Sequence, residues 1–290
     1  MPLKKYRMHL FVDISSHGFG HLAIIAPVLN ALAEIAPNLR LTVRTLLPPQ
    51  ILLERIHHPF VQITASSDFG YVMIDATQIN HPSSAAAYRQ AHADWPSCIG
   101  EEARFLRTFK PDLVLTNVSY LPLAGAEVAG IPALSLCSLN WADLFAHFFS
   151  NKPWAAKIHR EILAAYRSAQ TFLRMTPGMP MRRLGNVRNI GSIARIGQKH
   201  ELRLQSDRGV LIAMGGIMHR LPVENWREQD CLIDWLQRNI ACIETPPHHL
   251  QTGALTDQLA ALWQQPSFPW PQNSGAAEAA AKICSTISNL

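Results

Sequence analysis

The sequence predicts an α/β fold in which parallel strands alternate with helices over the first 150 residues. Two observations favour this fold class. Short runs of aliphatic and β-branched residues recur along the chain, and helical patterns or Gly- and Asp-containing turns separate them. The intervals between the runs match the length of strand–helix–strand units, which build parallel sheets with right-handed crossovers. Ligands of such sheets bind beyond the carboxyl ends of the strands.

The first strand is expected at residues 8–14, which read MHLFVDI. A helix follows, because Leu22, Ile25, Leu29 and Leu32 repeat at the spacing of one helical face. The same criteria predict strands at residues 39–46, 61–64, 112–117, 131–137 and 171–175, and helices at residues 95–109, 121–129 and 153–170.

A Pro-rich stretch at residues 176–181 indicates an exit from the first domain. Residues 208–214 read as a strand that ends at Gly215 and Gly216, so a second α/β unit is expected from about residue 205. The sequence therefore predicts two domains, residues 1–180 and residues 181–290. Three helices are expected in the second domain, at residues 230–239, 255–264 and 276–288.

The composition limits the function classes. The 290 residues carry a formal charge of +5, with 48% hydrophobic and only 16% charged residues. A chain of this composition buries a sizeable core, which excludes global disorder. The basic residues are scattered and do not alternate with aromatic residues, so a nucleic-acid partner is not expected.

The cysteines and the apolar segments indicate a compartment. The five Cys form no CxxC pair and are odd in number, so a disulfide framework or a zinc ribbon is not expected. A reduced, cytoplasmic location follows as the simplest interpretation. Residues 14–33 lack charged side chains but contain His, Ser, Asn and Pro, which argues against a transmembrane segment. Peripheral contact with a membrane surface stays open.

The sequence His17-Gly18-Phe19-Gly20-His21 follows the first predicted strand and opens the first helix. Glycines allow a ligand to approach the backbone, and the N–H groups of a helix N-terminus attract an anion. Histidine is the natural general base near neutral pH. The alternative is that one histidine caps the helix or satisfies buried polar groups. The third glycine of a dinucleotide-binding GxGxxG motif is missing.

Two further segments follow predicted strands. The DFG sequence at residues 68–70 forms either a turn or a ligand contact, and a kinase is excluded because HRD and VAIK motifs are absent. Asn140, Trp141 and Asp143 place polar groups beside an aromatic ring, which is typical of sugar or nucleoside recognition. The alternative for Trp141 is packing against the next helix.

Gly215 and Gly216 present N–H groups to a phosphate in one interpretation and form a simple tight turn in the other.

No metal site is expected. The adjacent histidine pairs at residues 57–58 and 248–249 do not have the spacing of zinc ligands. A Gly-x-Ser-x-Gly motif is also absent, so a hydrolase with a nucleophile elbow is not indicated.

Several segments resemble bacterial glycosyltransferases of the GT-B fold. Residues 15–33, which contain HGFGH, resemble the opening of uncharacterised members. Residues 110–145 are similar to their later acceptor-domain segment, with its PD-strand, GIP and aromatic-rich loop. Residues 208–217 resemble the first strand of the donor domain, and residues 228–239 and 274–283 resemble its last helices.

The resemblance implies two Rossmann-like domains that face a cleft, with an acceptor on the first and a nucleotide-sugar donor, UDP-linked, on the second. It implies that His21 is the catalytic base of an inverting, metal-independent transfer. A small-molecule or lipid-linked acceptor is the implied partner. The resemblance implies that the acceptor is contacted by His17, Asn140, Trp141 and Asp143. It implies that the donor is contacted by Gly18, Gly20, Gly215, Gly216, Glu228 and Gln229.

The chain departs from the family in its second half. Only residues 219–227 separate the Gly-Gly strand from the helix at Glu228, and 85 residues run from Ser206 to Leu290. A Rossmann-like half of ordinary domain size has about 130 residues or more. The C-terminal domain is therefore expected to be shortened. Three functions stay open: a glycosyltransferase, a binding protein that has lost its donor site, and a nucleotide-sugar hydrolase or epimerase.

Overall fold

The computed structural model describes residues 8–74, 78–195, 197, 227–269 and 271–289. These residues form a seven-stranded sheet in which every neighbouring pair of strands is parallel. The strands are β1 (His9–Ile14), β2 (Arg40–Arg44), β3 (Phe60–Ile63), β4 (Leu113–Asn117), β5 (Ala133–Cys137), β6 (Thr171–Arg174) and β7 (Val187–Asn189). Their order across the sheet is β3-β2-β1-β4-β5-β6-β7.

Helices connect and cover these strands. They are α1 (Phe19–Ile35), α2 (Pro49–Arg55), α3 (His81–Ala91), α4 (Trp95–Phe109), α5 (Leu121–Ala129), α6 (Trp141–Phe149), α7 (Ala155–Ser168), α8 (Arg227–Asn239), α9 (Pro247–Thr252), α10 (Thr256–Trp263) and α11 (Gly275–Ser288). None of the helices that the structure describes combines the length and the apolar character needed to cross a bilayer.

The strand order reverses between β1 and β4. The chain adds β2 and β3 on one side of β1, then crosses over to place β4 on the other side. Ile14 and Asn117 are paired at the carboxyl ends of β1 and β4. A crevice opens at such a reversal because the connections leave in opposite directions, and it is the usual ligand position of open α/β sheets.

The sheet is buried on both faces. Successive side chains of β1 point to opposite sides, so Phe11 belongs to one core and Leu10 and Val12 to the other. The Phe11 core is covered by helices α4 to α7, and the Leu10 core by α1, α2 and α11. Both cores are aliphatic and aromatic, as a parallel sheet with two covered faces requires.

The last helix packs on the same sheet. Helix α11 lies against α1 and buries Ala279 and Ile283 in the Leu10 core. Gly275 N donates to Ser192 O at 2.9 Å. A Cβ atom on Gly275 would overlap the Gly191 carbonyl, so glycine allows this close approach. The start of α11 is thereby attached to the segment that follows β7.

The predicted α/β class and parallel sheet are confirmed, and the helices expected at residues 95–109 and 121–129 have those bounds. The sheet continues to β7, past the predicted domain boundary at residue 180, and α11 covers it; the division into two domains stays a prediction. The strand expected at residues 208–214 lies outside the described residues. Helices α2, α3, α6 and α9 were not predicted.

Candidate active site

The segments that follow β1, β3 and β5 meet at the carboxyl edge of the sheet. The rings of His17 and His21 lie edge-on to the Trp141 indole, with centroid distances of 5.5 Å and 6.1 Å. Trp141 Nε1 donates to Asp68 Oδ2 at 3.0 Å. The structure thus brings together both histidines of the HGFGH turn, the aspartate of the DFG sequence and the predicted tryptophan.

The N-terminus of α1 is open. Gly18 is its N-cap residue, in an extended conformation, and no side chain caps the helix. A Cβ atom built on Gly18 or on Gly20 would meet no atom within 4 Å. The first N–H groups of a helix lack intrahelical acceptors, and the helix dipole favours an anion there. This helix start therefore has room for an anionic group.

His21 lies in the first turn of α1, and its side chain is buried. The pKa of His21 is lowered to about 4, mainly by burial and also by the positive charge of His17, while the interaction with the Asn117 side chain opposes the shift. His21 Nδ1 is buried without a hydrogen-bond partner among the described residues. The imidazole is therefore neutral at pH 7, and one of its nitrogens is unsatisfied.

Two further polar atoms at the end of β4 are buried without a partner among the described residues, Asn117 Oδ1 and Ser119 Oγ. The rest of the Asn117 amide is engaged, because Nδ2 donates to Leu136 O at 2.9 Å. A buried polar atom without a partner destabilises the folded protein. Because these atoms lie where the strand order reverses, the usual ligand position of open α/β sheets, they are candidates for hydrogen bonds to a ligand.

The backbone between these two residues is strained. Val118 has a φ of 69°, which a β-branched residue rarely adopts. The Tyr166 hydroxyl donates to the Val118 carbonyl and accepts from Trp141 N at 3.1 Å, which links the strained residue to the start of α6. Strain of this kind persists where the surroundings enforce it, commonly at functional sites.

Asp68 is held by donors from several segments. Its Oδ1 accepts from Gly70 N at 2.6 Å, and Oδ2 accepts from Trp141 Nε1. Burial raises the pKa of the Asp68 carboxyl, while hydrogen bonds from Ser15, Gly70 and Trp141 and the charge of His17 act against the rise. The Asp68 carboxylate is thus placed to orient both histidines. It holds the Trp141 indole against which they pack, and its charge acts on His17.

His17 is packed against the DFG turn. Burial lowers the pKa of His17, and the Asp68 carboxylate and the Phe69 carbonyl oppose that shift. Gly70 has a φ of +59°, and a Cβ atom there would lie 2.8 Å from His17 Cγ. Glycine is therefore required at position 70 both by the backbone conformation and by the His17 ring.

An ion cluster beneath the site attaches the β3 loop to the sheet. Arg44 Nε donates to Asp13 Oδ2 at 2.5 Å, and the Arg44 guanidinium also binds both carboxylate oxygens of Glu102. Ser67 Oγ donates to Asp13 Oδ1 at 2.8 Å. Gly125 leaves room for the Glu102 side chain. Ser67 thereby positions the adjacent Asp68.

Asn140 and Asp143 form the first turn of α6, where an aromatic-rich loop was expected. Asn140 Oδ1 accepts from Asp143 N at 2.8 Å, and Asn140 Nδ2 donates to Asp143 Oδ2 at 3.0 Å. Asn140 is therefore a helix cap, the role that asparagine commonly takes. Trp141 is fully buried, and its packing on the neighbouring residues accompanies its bond to Asp68. The acceptor roles of these residues stay predictions.

The predicted donor residues are only partly described. Gly215 and Gly216 lie outside the described residues. Glu228 and Gln229 lie in the first turn of α8. Burial raises the pKa of the Cys137 thiol to about 12, and the Glu228 carboxylate adds to that rise, which places Glu228 near the carboxyl end of β5. Gln229 is exposed to solvent.

Sequence reasoning did not single out Ser119, Ser67 or Tyr166. The residues after the strand predicted at 112–117 were covered only by the general rule that ligands bind beyond the carboxyl ends of the strands. A buried, unpartnered hydroxyl has no signature in the sequence. Within the described ranges, no group of three or more His, Cys, Asp or Glu side chains is arranged to hold a metal ion.

No known family model matches the chain. A similar curated protein is L-arabinokinase of Arabidopsis thaliana, which is 23% identical over 204 residues. The match covers 68% of this chain and 19% of that protein, so the chain spans about a fifth of this relative.

Similar solved structures include a UDP-glucosyltransferase. A UDP-glucosyltransferase from Polygonum tinctorium is 13% identical, with a TM-score of 0.44, 70% of this chain covered and 56% of that one. UGT89C1 of Arabidopsis thaliana is 14% identical, with a TM-score of 0.41 and coverages of 67% and 52%. The chain spans little more than half of each.

Proposed function

We propose that the chain binds a nucleotide-sugar at the carboxyl edge of β1 and β4 and transfers the sugar to a hydroxyl-bearing acceptor. The observation that carries the proposal is the group of three buried polar atoms at this edge, His21 Nδ1, Asn117 Oδ1 and Ser119 Oγ, which lack a hydrogen-bond partner within the described part of the chain. Sugars carry several hydroxyl groups, each of which both donates and accepts. A sugar can therefore form hydrogen bonds with the Asn117 amide oxygen, the Ser119 hydroxyl and the His21 imidazole at the same time.

In the proposed reaction the acceptor hydroxyl attacks the anomeric carbon as the bond to the nucleotide diphosphate breaks. His21 receives the hydroxyl proton, and the sugar configuration inverts because attack and departure occur on opposite faces. The open N-terminus of α1 stabilises the charge that develops on the departing diphosphate. The proposal requires no metal ion. The name of the curated relative, L-arabinokinase, is in keeping with a sugar ligand.

Binding without transfer is the second candidate, and one observation favours it. A pKa of about 4 makes His21 a weak base at neutral pH, and none of the ion pairs of the described residues gives it a carboxylate partner. A protein that has kept the sugar site without an effective base would bind a nucleotide-sugar and release it unchanged.

Product analysis separates these candidates. The protein is incubated with a panel of UDP-sugars, with and without hydroxyl-bearing acceptors, and the products are identified by mass spectrometry. Transfer yields a glycosylated acceptor, and hydrolysis or epimerisation yields a free or isomerised sugar. We expect His21→Ala to abolish product formation, whereas nucleotide-sugar binding should be weakened by the loss of one hydrogen bond and not abolished. Equal product from wild type and His21→Ala would remove His21 from the mechanism.

A further inference from the structure

A cavity of about 350 Å³ lies where α6, α8 and the segment after β6 meet. The residues that line it include Arg182, Arg183, Arg227 and Asp143. Cavities of this size accommodate small ligands. The cavity includes neither His17 nor His21, so it is distinct from the histidine-bearing part of the candidate active site.

The cavity is strongly basic. The described residues that line it include three arginines and one acidic residue, and within the described ranges none of the three arginines belongs to an ion pair. Arg183 Nη1 lies 3.3 Å from the neutral partner His159 Nε2. The carboxylate of Asp143 is already bound by the Asn140 amide. Like charges collected around one cavity repel each other, and an anion that enters the cavity relieves that repulsion.

Two further arginines fix the loop that carries Arg182 and Arg183. Arg174 donates to the carbonyls of Met179 and Pro180 at 3.2 Å and 3.0 Å. Arg167 donates to the Arg183 carbonyl, at 2.7 Å from its terminal nitrogen. These bonds occupy the carbonyl oxygens of the loop, which would otherwise repel an anion. They also add positive charge beside the cavity.

We propose that this cavity binds a phosphate or diphosphate group through Arg182, Arg183 and Arg227. The planar fork of a guanidinium donates two parallel hydrogen bonds to phosphate oxygens, and three such groups around a small cavity match the charge of a diphosphate. The inference rests on the charges and shape of the cavity and not on the proposed sugar transfer. The phosphate belongs either to a nucleotide or to another phosphorylated ligand.

Calorimetric titration with inorganic pyrophosphate tests the proposal. We expect the double variant Arg182→Ala, Arg183→Ala to bind pyrophosphate about tenfold more weakly or worse than wild type. Arg188→Ala removes an equally exposed arginine from β7, outside the cavity, and should change the affinity less than about twofold. These side chains are exposed, so the variants should fold, which their thermal unfolding verifies.

A variant that changes only the charge of the cavity should shift the pyrophosphate affinity in the opposite direction. Asp143→Asn keeps an oxygen that can accept from Asn140 and removes the negative charge that Asp143 adds to the cavity lining, so pyrophosphate should bind more tightly. Pyrophosphate affinity equal in wild type and the double variant, or an equal loss in Arg188→Ala, would overturn the proposal. So would the absence of binding at millimolar pyrophosphate.

A parallel titration with UDP identifies the source of the phosphate. If the double variant loses UDP affinity as well, the cavity holds the diphosphate of a nucleotide. If only pyrophosphate binding is lost, the cavity holds the phosphate of another ligand. His21→Ala should bind pyrophosphate as wild type does, so a failure of the proposed transfer and a failure of this cavity are distinguishable.

Discussion

The Trp141 indole donates a 3.0 Å hydrogen bond to Asp68 Oδ2, and this bond joins the start of α6 to the loop that follows β3. The two residues are 73 positions apart in the chain. His17 and His21 both lie edge-on to the same indole. The bond therefore holds in place the indole against which both histidines pack.

We expect this bond to contribute measurably to stability. Trp141→Phe and Asp68→Ala should each destabilise the protein, with a coupling free energy of about 1–2 kcal/mol between them, as for a hydrogen bond to a carboxylate. Chemical denaturation of both single variants and the double variant gives this value. Trp154→Phe removes an indole that packs on Phe145 and Phe149, and it is the control. A coupling near zero would show that the bond contributes nothing.

Gly70 and Gly130 form a matched pair. Both have positive φ angles, of 59° and 71°, but only Gly70 faces the His17 ring. Gly130→Ala should destabilise the protein by about 1 kcal/mol through backbone strain alone. Gly70→Ala should destabilise it further, because His17 has to move. Its imidazole should then titrate nearer its ordinary pKa, which NMR measures. Equal losses in the two variants would contradict the contact.

Ser119→Ala separates binding from stability. The Ser119 hydroxyl is buried without a partner among the described residues, so its removal should leave stability unchanged or raise it by up to about 1 kcal/mol. Ser135→Ala is the control, because Ser135 Oγ accepts from Thr116 Oγ1 at 3.1 Å and its loss should destabilise the protein. A clear destabilisation by Ser119→Ala, measured by thermal unfolding, would show that this hydroxyl has a partner.

The pH dependence of stability should reveal His21. The pKa of His21 is about 4 in the folded protein and has its ordinary value of 6.5 in the unfolded chain, so the unfolded chain takes up a proton that the folded one does not. Stability is therefore present above about pH 6.5 and falls as the pH drops towards 4, by at most about 3 kcal/mol from this group.

A comparison of wild type with a variant that lacks His21 isolates the contribution of His21 to the pH dependence of stability from the contributions of the other buried histidines. His21→Gln should show a shallower decline in the free energy of unfolding between pH 6.5 and pH 4 than wild type, measured by urea denaturation. His57→Gln, at an exposed position, controls for the loss of an imidazole. Parallel curves for wild type and His21→Gln would contradict the assigned pKa.

The local parts of the fold could be predicted from the sequence. The apolar runs of β1 and β4 are long enough to identify buried strands, and the turn at residues 17–21 is recognisable because glycines directly follow a strand. Helix α6 was missed because the aromatic residues after Asn140 suggested a loop. The docking of α11 on α1 joins segments more than 200 residues apart, which no local pattern encodes.

The site was predicted only in outline. His17, His21, Asp68 and Trp141 were noticed because their types and positions after strands are suited to ligand binding. The positive φ of Val118 runs against the preference of its residue type, so sequence reasoning could not anticipate it. Tertiary packing decides which polar atoms remain without a partner, and packing is not readable from one sequence.

Calorimetric titration of wild type and Ser119→Ala with a panel of nucleotide-sugars tests the central claim most directly. The account predicts that at least one nucleotide-sugar binds wild type with a Kd below about 1 mM, and that Ser119→Ala, although folded, binds it about tenfold more weakly. The absence of binding by every nucleotide-sugar at millimolar concentration, or equal affinity in the two proteins, would contradict it.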